Sequence, residues 1–139
     1  MSDLPYIDTN VASVAATPEQ AWSALLATLR GQMGGAGAVA RALGCDPARA
    51  SPEFDGRPGQ TLPGFRVAHA DPGHRLELRG RHRFSRYSLT FALHDGTVAA
   101  ETRAAFPGVL GRLYRAAVID SGAHRVITRR LVRQVARHA

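Results

Sequence analysis

Two hairpin patterns between residues 64 and 106 constrain the fold more than any other feature of the sequence. The stretch "GFRVAHADPGHRLELRG" alternates apolar and charged residues about Pro72-Gly73, and "RYSLTFALHDGTVAAETRAAF" alternates about Asp95-Gly96. Both dipeptides favour tight turns, and a period of two is typical of strands with one buried face. The sequence therefore predicts consecutive antiparallel strands over residues 64–106.

Counting outward from the two turns predicts the register and the face of each residue. The first hairpin pairs His69 with Leu76, Val67 with Leu78 and Phe65 with Gly80. The second pairs Leu93 with Val98, Phe91 with Ala100, Leu89 with Thr102 and Tyr87 with Ala104. These pairs are expected to face the interior of a sheet with a single buried side. The outer, solvent-facing side is assigned Arg66, Arg75, Glu77, Arg79, Ser88, Thr90, Glu101 and Arg103.

The segment before the hairpins predicts a strand followed by a helix. Residues 6–16 alternate, and the face expected to be buried carries Ile7, Val11 and Ala15. Thr17 and Gln20 form a capping box, with Pro18 at the first helical position. The apolar stripe that follows at helical spacing is Trp22, Leu25, Leu26, Leu29 and Met33.

Residues 31–63 are rich in glycine and proline. The stretch "GQMGGAGAVARALG" contains part of a dinucleotide-binding fingerprint, but that motif needs a preceding strand and here a helix precedes it. We interpret it as a turn leading into a short second helix, residues 36–43. One edge strand is expected at Glu53–Arg57, because edges tolerate proline.

After Phe106-Pro107-Gly108 the pattern becomes helical and continues to Arg137. One face is expected to pack on the sheet, with Leu113 and Leu131 in the core at its two ends. The opposite face carries arginines and is expected to be solvated. The inward face comprises Leu110, Leu113, Tyr114, Ala117, Ser121, His124, Thr128, Leu131, Val132 and Val135.

The order of these elements predicts an α+β fold. Strands follow one another, while helices are segregated in sequence, so we expect a curved antiparallel sheet wrapped around a long C-terminal helix. Two short helices follow the first strand. A chain of 139 residues is long enough for one core, and residues 1–139 are expected to form a single domain.

Composition excludes several classes of protein. No secretory signal or membrane-spanning run is present, and Cys45 is the only cysteine, which favours a soluble cytoplasmic protein without disulfides. The net charge is +7, but all 18 basic residues are dispersed arginines and aromatic residues make up only 6%, which argues against nucleic-acid binding. The six histidines lack metal-ligand spacing, so neither a metal nor a cofactor is expected.

The inward face of the last helix turns polar at Ser121, His124 and Thr128, and two interpretations stay open. These side chains line a cavity, or they are satisfied locally, since helical Ser and Thr can bond to their own backbone. Asp120, one turn before His124, either orients a general base or simply stabilises the helix.

The stretch "LPGFRV…DPGHRLELRGRHRFSRYSLTFAL…AAFPGVLGRLYRAAVIDSGAH", residues 62–124, resembles short bacterial proteins of the START-like helix-grip superfamily (SRPBCC). That group includes polyketide cyclases and lipid-transfer domains. The resemblance implies a ligand cavity between the sheet and the last helix. The superfamily has no universal catalytic motif, so no catalytic residue is assigned. The proline-rich 45–63 segment departs from the pattern and leaves the number of early strands open.

The function expected from the sequence is binding, with or without transport, of an apolar or amphipathic small molecule such as a lipid or polyketide-like compound. One alternative is a cyclase or dehydratase using His124, Tyr114 or Asp120. Another is an interaction module whose arginine-covered helix docks on an acidic partner. The predicted cavity lining is Val67, His69, Leu78, Tyr87, Leu89, Phe91, Thr102, Leu113, Tyr114, Ala117, Ser121, His124 and Thr128.

Overall fold

The structure, a computed structural model, describes residues 4–33, 41–94 and 96–139. Six strands in this part of the chain form one antiparallel sheet in the order β1-β6-β5-β4-β3-β2. The strands are β1 (Tyr6–Ser13), β2 (Thr61–Leu62), β3 (Phe65–Asp71), β4 (Arg75–His82), β5 (Ser85–His94) and β6 (Thr97–Ala105).

One helix lies between β1 and β2 and the others follow β6, so the predicted α+β class is confirmed. They are α1 (Pro18–Met33), α2 (Gly108–Arg115) and α3 (Ala123–His138), with a π-helical segment at Ala116–Asp120. The predicted second helix at 36–43 falls mostly outside the described residues, although residues 41–43 are helical. Among the described helices, none is long and apolar enough to cross a membrane.

The hydrophobic core fills the space between the inner face of the sheet and the helices α1 and α3. Helix α1 begins as predicted, because the backbone N–H of Gln20 donates to Thr17 Oγ1 and that of Thr17 donates to Gln20 Oε1. Helix α3 packs against α1 and β1. The fully buried side chains include Leu25, Leu29, Leu76, Leu78, Phe91, Val98, Val132 and Val135.

The register of the β5–β6 hairpin is confirmed at all four predicted pairs, from Leu93–Val98 to Tyr87–Ala104. The β3–β4 hairpin is confirmed at Val67–Leu78, and the adjacent Arg66–Arg79 pair has the same register. A β-bulge between Val67 and His69 shifts the pairing, so that His69 faces Glu77 and its side chain is exposed. The extra residue of a bulge turns the strand by one position, which an alternating pattern alone does not reveal.

Ser88 and Thr90 lie on the outer face of β5, yet they are buried, so the prediction that they face water is wrong. Their cross-strand neighbours are arginines and glutamates of β4 and β6. These neighbours form ion pairs, Arg79 Nε with Glu77 Oε2 and Arg103 Nε with Glu101 Oε1, each at 2.7 Å. The long side chains cover the central strand while keeping their charged groups in water.

The prediction of which face of β1 is buried is also wrong. Val11 is 59% exposed, whereas Asn10 is 7% exposed and Asp8 has only 12% of its side chain accessible. Asp8 lies opposite Thr102 and Asn10 opposite Ala100, both inward-facing residues of β6. Hydrophobicity favoured the wrong face because the inner face of β1 carries polar side chains.

The predicted edge strand at Glu53–Arg57 is wrong as well. This stretch is a turn-rich loop in which Glu53 has a φ of 54°, a left-handed conformation that no extended strand allows. The Oε1 of Gln60 accepts the backbone N–H groups of Asp55 and Arg57, which stabilises the turn. The short strand β2 begins only at Thr61.

The predicted long C-terminal helix is interrupted. Gly122 has a φ of 85°, which separates the π-helical segment from α3. In α2, Gly111 is the buried residue, and a Cβ there would lie 2.7 Å from the carbonyl carbon of Phe106. Leu110 and Leu113 therefore point away from the sheet and are 66% and 63% exposed, which corrects their assignment to the core.

Replacing a leucine by alanine in α2 and in α3 should distinguish the exposed face of α2 from the buried face of α3. Leu131→Ala should lower the free energy of unfolding by about 2–5 kcal/mol, because Leu131 is buried in the core. Leu113→Ala and the surface control Arg133→Ala should each change it by at most about 0.5 kcal/mol. Chemical denaturation measures all three, and a Leu113→Ala loss as large as that of Leu131→Ala would show that α2 packs through its leucines.

Candidate functional site

A cavity of about 250 Å³ lies between the inner face of β4–β6 and the helical residues 114–124. The 43–45 and 63–65 segments close its remaining side. Larger depressions of about 700 Å³ and 510 Å³ lie on the surface beside α1 and along the arginines of α3. The 250 Å³ cavity differs from them in lying between sheet and helix and in having mainly apolar walls, so it is the candidate site.

Aromatic side chains form one end of the cavity. The rings of His82 and Tyr114 meet edge to face at 4.7 Å between centroids, and Phe84 stacks on Tyr114 at 5.4 Å. Phe65 and Tyr87 meet edge to face at 5.2 Å. Such pairs are favourable for aromatic rings, and together they build a rigid wall.

Tyr87 is fixed in this wall by one strong hydrogen bond. Its hydroxyl donates to the carbonyl oxygen of Gly64 at 2.6 Å and lies 3.9 Å from Sγ of Cys45. Gly80 makes room for this contact, since a Cβ there would lie 1.9 Å from the Gly64 oxygen and 2.9 Å from the Tyr87 hydroxyl. Burial raises the pKa of Tyr87, and the adjacent Cys45 thiol raises this pKa further, so the phenol stays protonated.

The hydrogen bonds of His82 define its tautomer. The backbone N–H of Phe84 donates to Nδ1 at 3.0 Å, so the proton of the neutral ring is on Nε2 and is donated to Ser85 Oγ at 3.1 Å. Burial lowers the pKa of His82, which favours this neutral form. Because His82 donates to Ser85 instead of accepting from it, the pair is not an activated serine nucleophile.

A polar cluster forms the other end of the cavity. His124 Nε2 lies 2.9 Å from Thr102 Oγ1, 3.3 Å from Thr128 Oγ1 and 3.8 Å from Oδ1 of Asp8. Thr128 donates its own hydroxyl proton to the carbonyl oxygen of His124 at 3.0 Å, so its oxygen presents lone pairs to Nε2. Three oxygens around Nε2 favour a proton on that nitrogen, which leaves the lone pair on Nδ1.

Two opposing effects act on the pKa of His124 in this cluster. Burial lowers the pKa of His124, while the carboxylate of Asp8 acts in the opposite direction by stabilising the imidazolium. Oδ1 of Asp8 is buried and makes no hydrogen bond in the described residues. A buried acceptor without a donor is uncommon, and this carboxylate is not part of the cavity lining, so it acts on the site through His124.

The predicted lining residues fall into three groups. Tyr87, Leu89, Thr102, Tyr114 and His124 lie at the cavity, and Thr128 contacts His124 just behind it. Val67, Leu78 and Phe91 are buried in the core instead. The remaining residues have exposed side chains and do not line the cavity: His69, Leu113, Ala117 and Ser121.

Local features of the backbone explain why some predicted lining residues lie outside the cavity. The bulge in β3 turns His69 outward, and the buried Gly111 turns Leu113 outward. Ser121 Oγ donates to the carbonyl oxygen of Ala117 at 2.5 Å, which is the local alternative left open by the sequence. Asp120 is paired with Arg115 at 3.7 Å and does not contact His124 in this structure.

Several residues at the site were absent from the sequence prediction. Asp8 is not among the residues predicted to be buried on β1, and His82 follows the end of the alternating pattern in β4. Val118 and Ile119 reach the cavity because the π-helical segment changes the angular spacing of the helix. Among the described residues, no group of three or more His, Cys, Asp or Glu side chains could hold a metal ion.

Comparison with known proteins gives a fold and no family. No protein-family model and no curated protein matches this chain. Protein CV1439 from Chromobacterium violaceum matches with a TM-score of 0.57 and 17% identity, over 95% of this chain and 96% of that chain. A Rhodobacter sphaeroides protein matches with a TM-score of 0.50 and 25% identity, over 92% and 85% of the two chains.

The di-domain ARO/CYC StfQ from the steffimycin biosynthetic pathway matches with a TM-score of 0.50 and 12% identity. The match covers 99% of this chain and 51% of StfQ, so this chain spans about half the length of that protein. These likenesses show the fold: an α+β helix-grip architecture in which an antiparallel sheet packs around the C-terminal helix.

Proposed function

We propose that this protein binds an apolar or amphipathic small molecule in the cavity between the sheet and residues 114–124. The observation that carries the proposal is the composition of the walls: aromatic and aliphatic side chains surround the space, and polar groups stand at two fixed positions. Ligand sites in proteins are commonly built in this way, with few polar groups that fix the orientation of the ligand.

The volume of the cavity favours compact ligands. At about 250 Å³ it lies just below the range of about 300–1,000 Å³ that is usual for small-molecule sites. A flat ring system of two or three fused rings fits such a space better than an extended acyl chain, and the aromatic wall around Tyr114 offers edges and faces for stacking. Among the two ligand classes expected from the sequence, a polyketide-like ring compound is therefore preferred to a lipid.

The polar cluster favours a ligand with a hydroxyl group. The hydroxyl of Thr102 and the free lone pair of His124 provide a donor and an acceptor at the cavity. A ligand carboxylate would meet the buried negative charge of Asp8 and lose its own hydration, which is costly. A phenol or alcohol meets neither penalty.

StfQ provides context for this proposal, since a protein described as a di-domain ARO/CYC from a biosynthetic pathway has this fold. At 12% identity the likeness covers the fold alone. The proposal for this chain is therefore supported by its own cavity and polar groups.

A second candidate, acid–base catalysis, is favoured by the pair of Asp8 and His124. A neutral imidazole with a free Nδ1 lone pair is a base, and a carboxylate 3.8 Å from Nε2 stabilises the imidazolium formed when that base takes a proton. Such an arrangement can remove a proton from carbon next to a ligand carbonyl, with the Thr102 hydroxyl placed to donate to the developing enolate oxygen.

Binding is tested by filling the cavity. Ala104 lines it and is 3% exposed, so Ala104→Leu should weaken binding of a hydroxylated naphthalene by about tenfold or more, measured by fluorescence titration. Ala105→Leu adds the same atoms at the next position of β6, which faces the other side of the sheet, and should bind as the wild type does. Equal affinities for all three proteins would place the probe outside this cavity.

Catalysis is tested by deuterium exchange into 2-tetralone, whose acidic C–H protons lie next to a carbonyl. Wild type should accelerate exchange in D2O, while His124→Gln should abolish the acceleration and Asp8→Asn should reduce it. Only neutral His124 is a base, so the rate should rise with pH through the lowered pKa of His124 and then level off. Exchange no faster than in buffer, with binding intact, would leave the protein as a binder.

A further inference from the structure

The outward face of α2 is apolar, which is the reverse of the usual arrangement for a surface helix. Gly111 faces the sheet, and the residues two positions before and after it lie about 200° away around the helix. These are Val109 and Leu113, which are 73% and 63% exposed, and Leu110 beside them is 66% exposed. Exposed aliphatic side chains grouped in this way mark a binding surface more often than chance.

The C-terminal part of the chain, which includes α2, carries nearly all of the net charge. Residues 108–139 contain seven arginines and a single acidic residue, Asp120, and therefore account for +6 of the net charge of +7. Asp120 is paired with Arg115. On α3, the exposed Val126 shares a surface groove with Arg129, Arg130 and Arg133, so aliphatic and cationic side chains adjoin there too.

We propose that this part of the chain docks on an anionic lipid surface through two exposed regions: the aliphatic side chains of α2 and the arginine-lined groove of α3. Aliphatic side chains next to arginines fit an interface in which the former enter the acyl boundary and the latter contact lipid phosphates. This docking is independent of ligand binding, but it would place the cavity next to the bilayer, because Tyr114 of α2 belongs to the cavity wall.

Other occupants fit this surface less well. Nucleic acid would make no use of the aliphatic side chains, and the patch presents no exposed large aromatic residue for stacking on bases. A second copy of this chain would bring two sets of arginines together, which is unfavourable without intervening acidic groups. A lipid surface uses both the aliphatic groups and the positive charge.

The test is flotation of the full chain with vesicles of phosphatidylcholine alone and of an equimolar mixture with phosphatidylglycerol. Wild type should float with the mixed vesicles only, and less so as the salt concentration rises. The double variant Val109→Ser/Leu113→Ser should bind the mixed vesicles at least about tenfold more weakly than the wild type does. Val11→Ser removes a valine that is 59% exposed on β1 and should bind as the wild type does.

A charge-matched pair of variants tests the role of the arginines. Arg129→Gln/Arg133→Gln should weaken binding, whereas Arg66→Gln/Arg75→Gln, which removes the same charge from exposed positions on the outer face of the sheet, should not. The side chains substituted in the serine and arginine variants are exposed, and unfolding curves should show that these variants fold as stably as the wild type. The cavity-filling Ala104→Leu protein should float normally, so failure of ligand binding and failure of docking are distinguishable.

Five outcomes would overturn the proposal. Wild type does not float with the mixed vesicles, or it floats equally with both kinds. The two arginine variants lose binding equally, which would make the attraction a property of net charge alone. The serine variant floats as the wild type does, which would indicate a partner that uses only charge, such as an acidic protein. Light scattering shows a wild-type dimer that the serine variant dissociates, which would make this face an interface between copies.

Discussion

The pairing of β5 with β6 positions most of the groups on which the site depends. Leu89 opposite Thr102 and Tyr87 opposite Ala104 place both ends of the cavity on the inner face of one hairpin. On the far side of β6, β1 sets Asp8 opposite Thr102, which brings a buried carboxylate to His124. A shift of this register by one residue would turn all of these side chains to the outer face.

The interruption of the C-terminal helix is the second determinant of the site. A continuous helix would keep its leucines against the sheet and fill the space with side chains. With Gly111 against the sheet, the π-helical segment at Ala116–Asp120 and the left-handed Gly122, residues 114–124 close the cavity without filling it. The same interruption exposes the leucines of α2, so the cavity and the proposed lipid-docking face have one structural cause.

The sequence predicted the capping of α1 and the β5–β6 register, because a capping box, a turn dipeptide and alternation determine these locally, while the helix-grip architecture was implied by the family resemblance. The prediction failed where a single residue changes which side chains face inward, as at the bulge before His69 and at Gly111. It also failed on β1, because the inner face of this strand carries the polar residues Asp8 and Asn10, and a pattern that assigns apolar residues to the interior chooses the other face. The Asp8–His124 pair joins residues far apart in the chain, and no local pattern contains it.

The central claim is that the cavity between the sheet and residues 114–124 is a ligand site. Chemical-shift mapping during titration with a hydroxylated naphthalene tests it most directly, because each backbone amide reports on its own surroundings. The account predicts saturable shifts centred on Thr102, Ala104, Tyr114 and His124, the residues that line both ends of the cavity. Saturable shifts confined to the surface groove along Arg129 and Arg133, or no shifts at saturating probe, would contradict it.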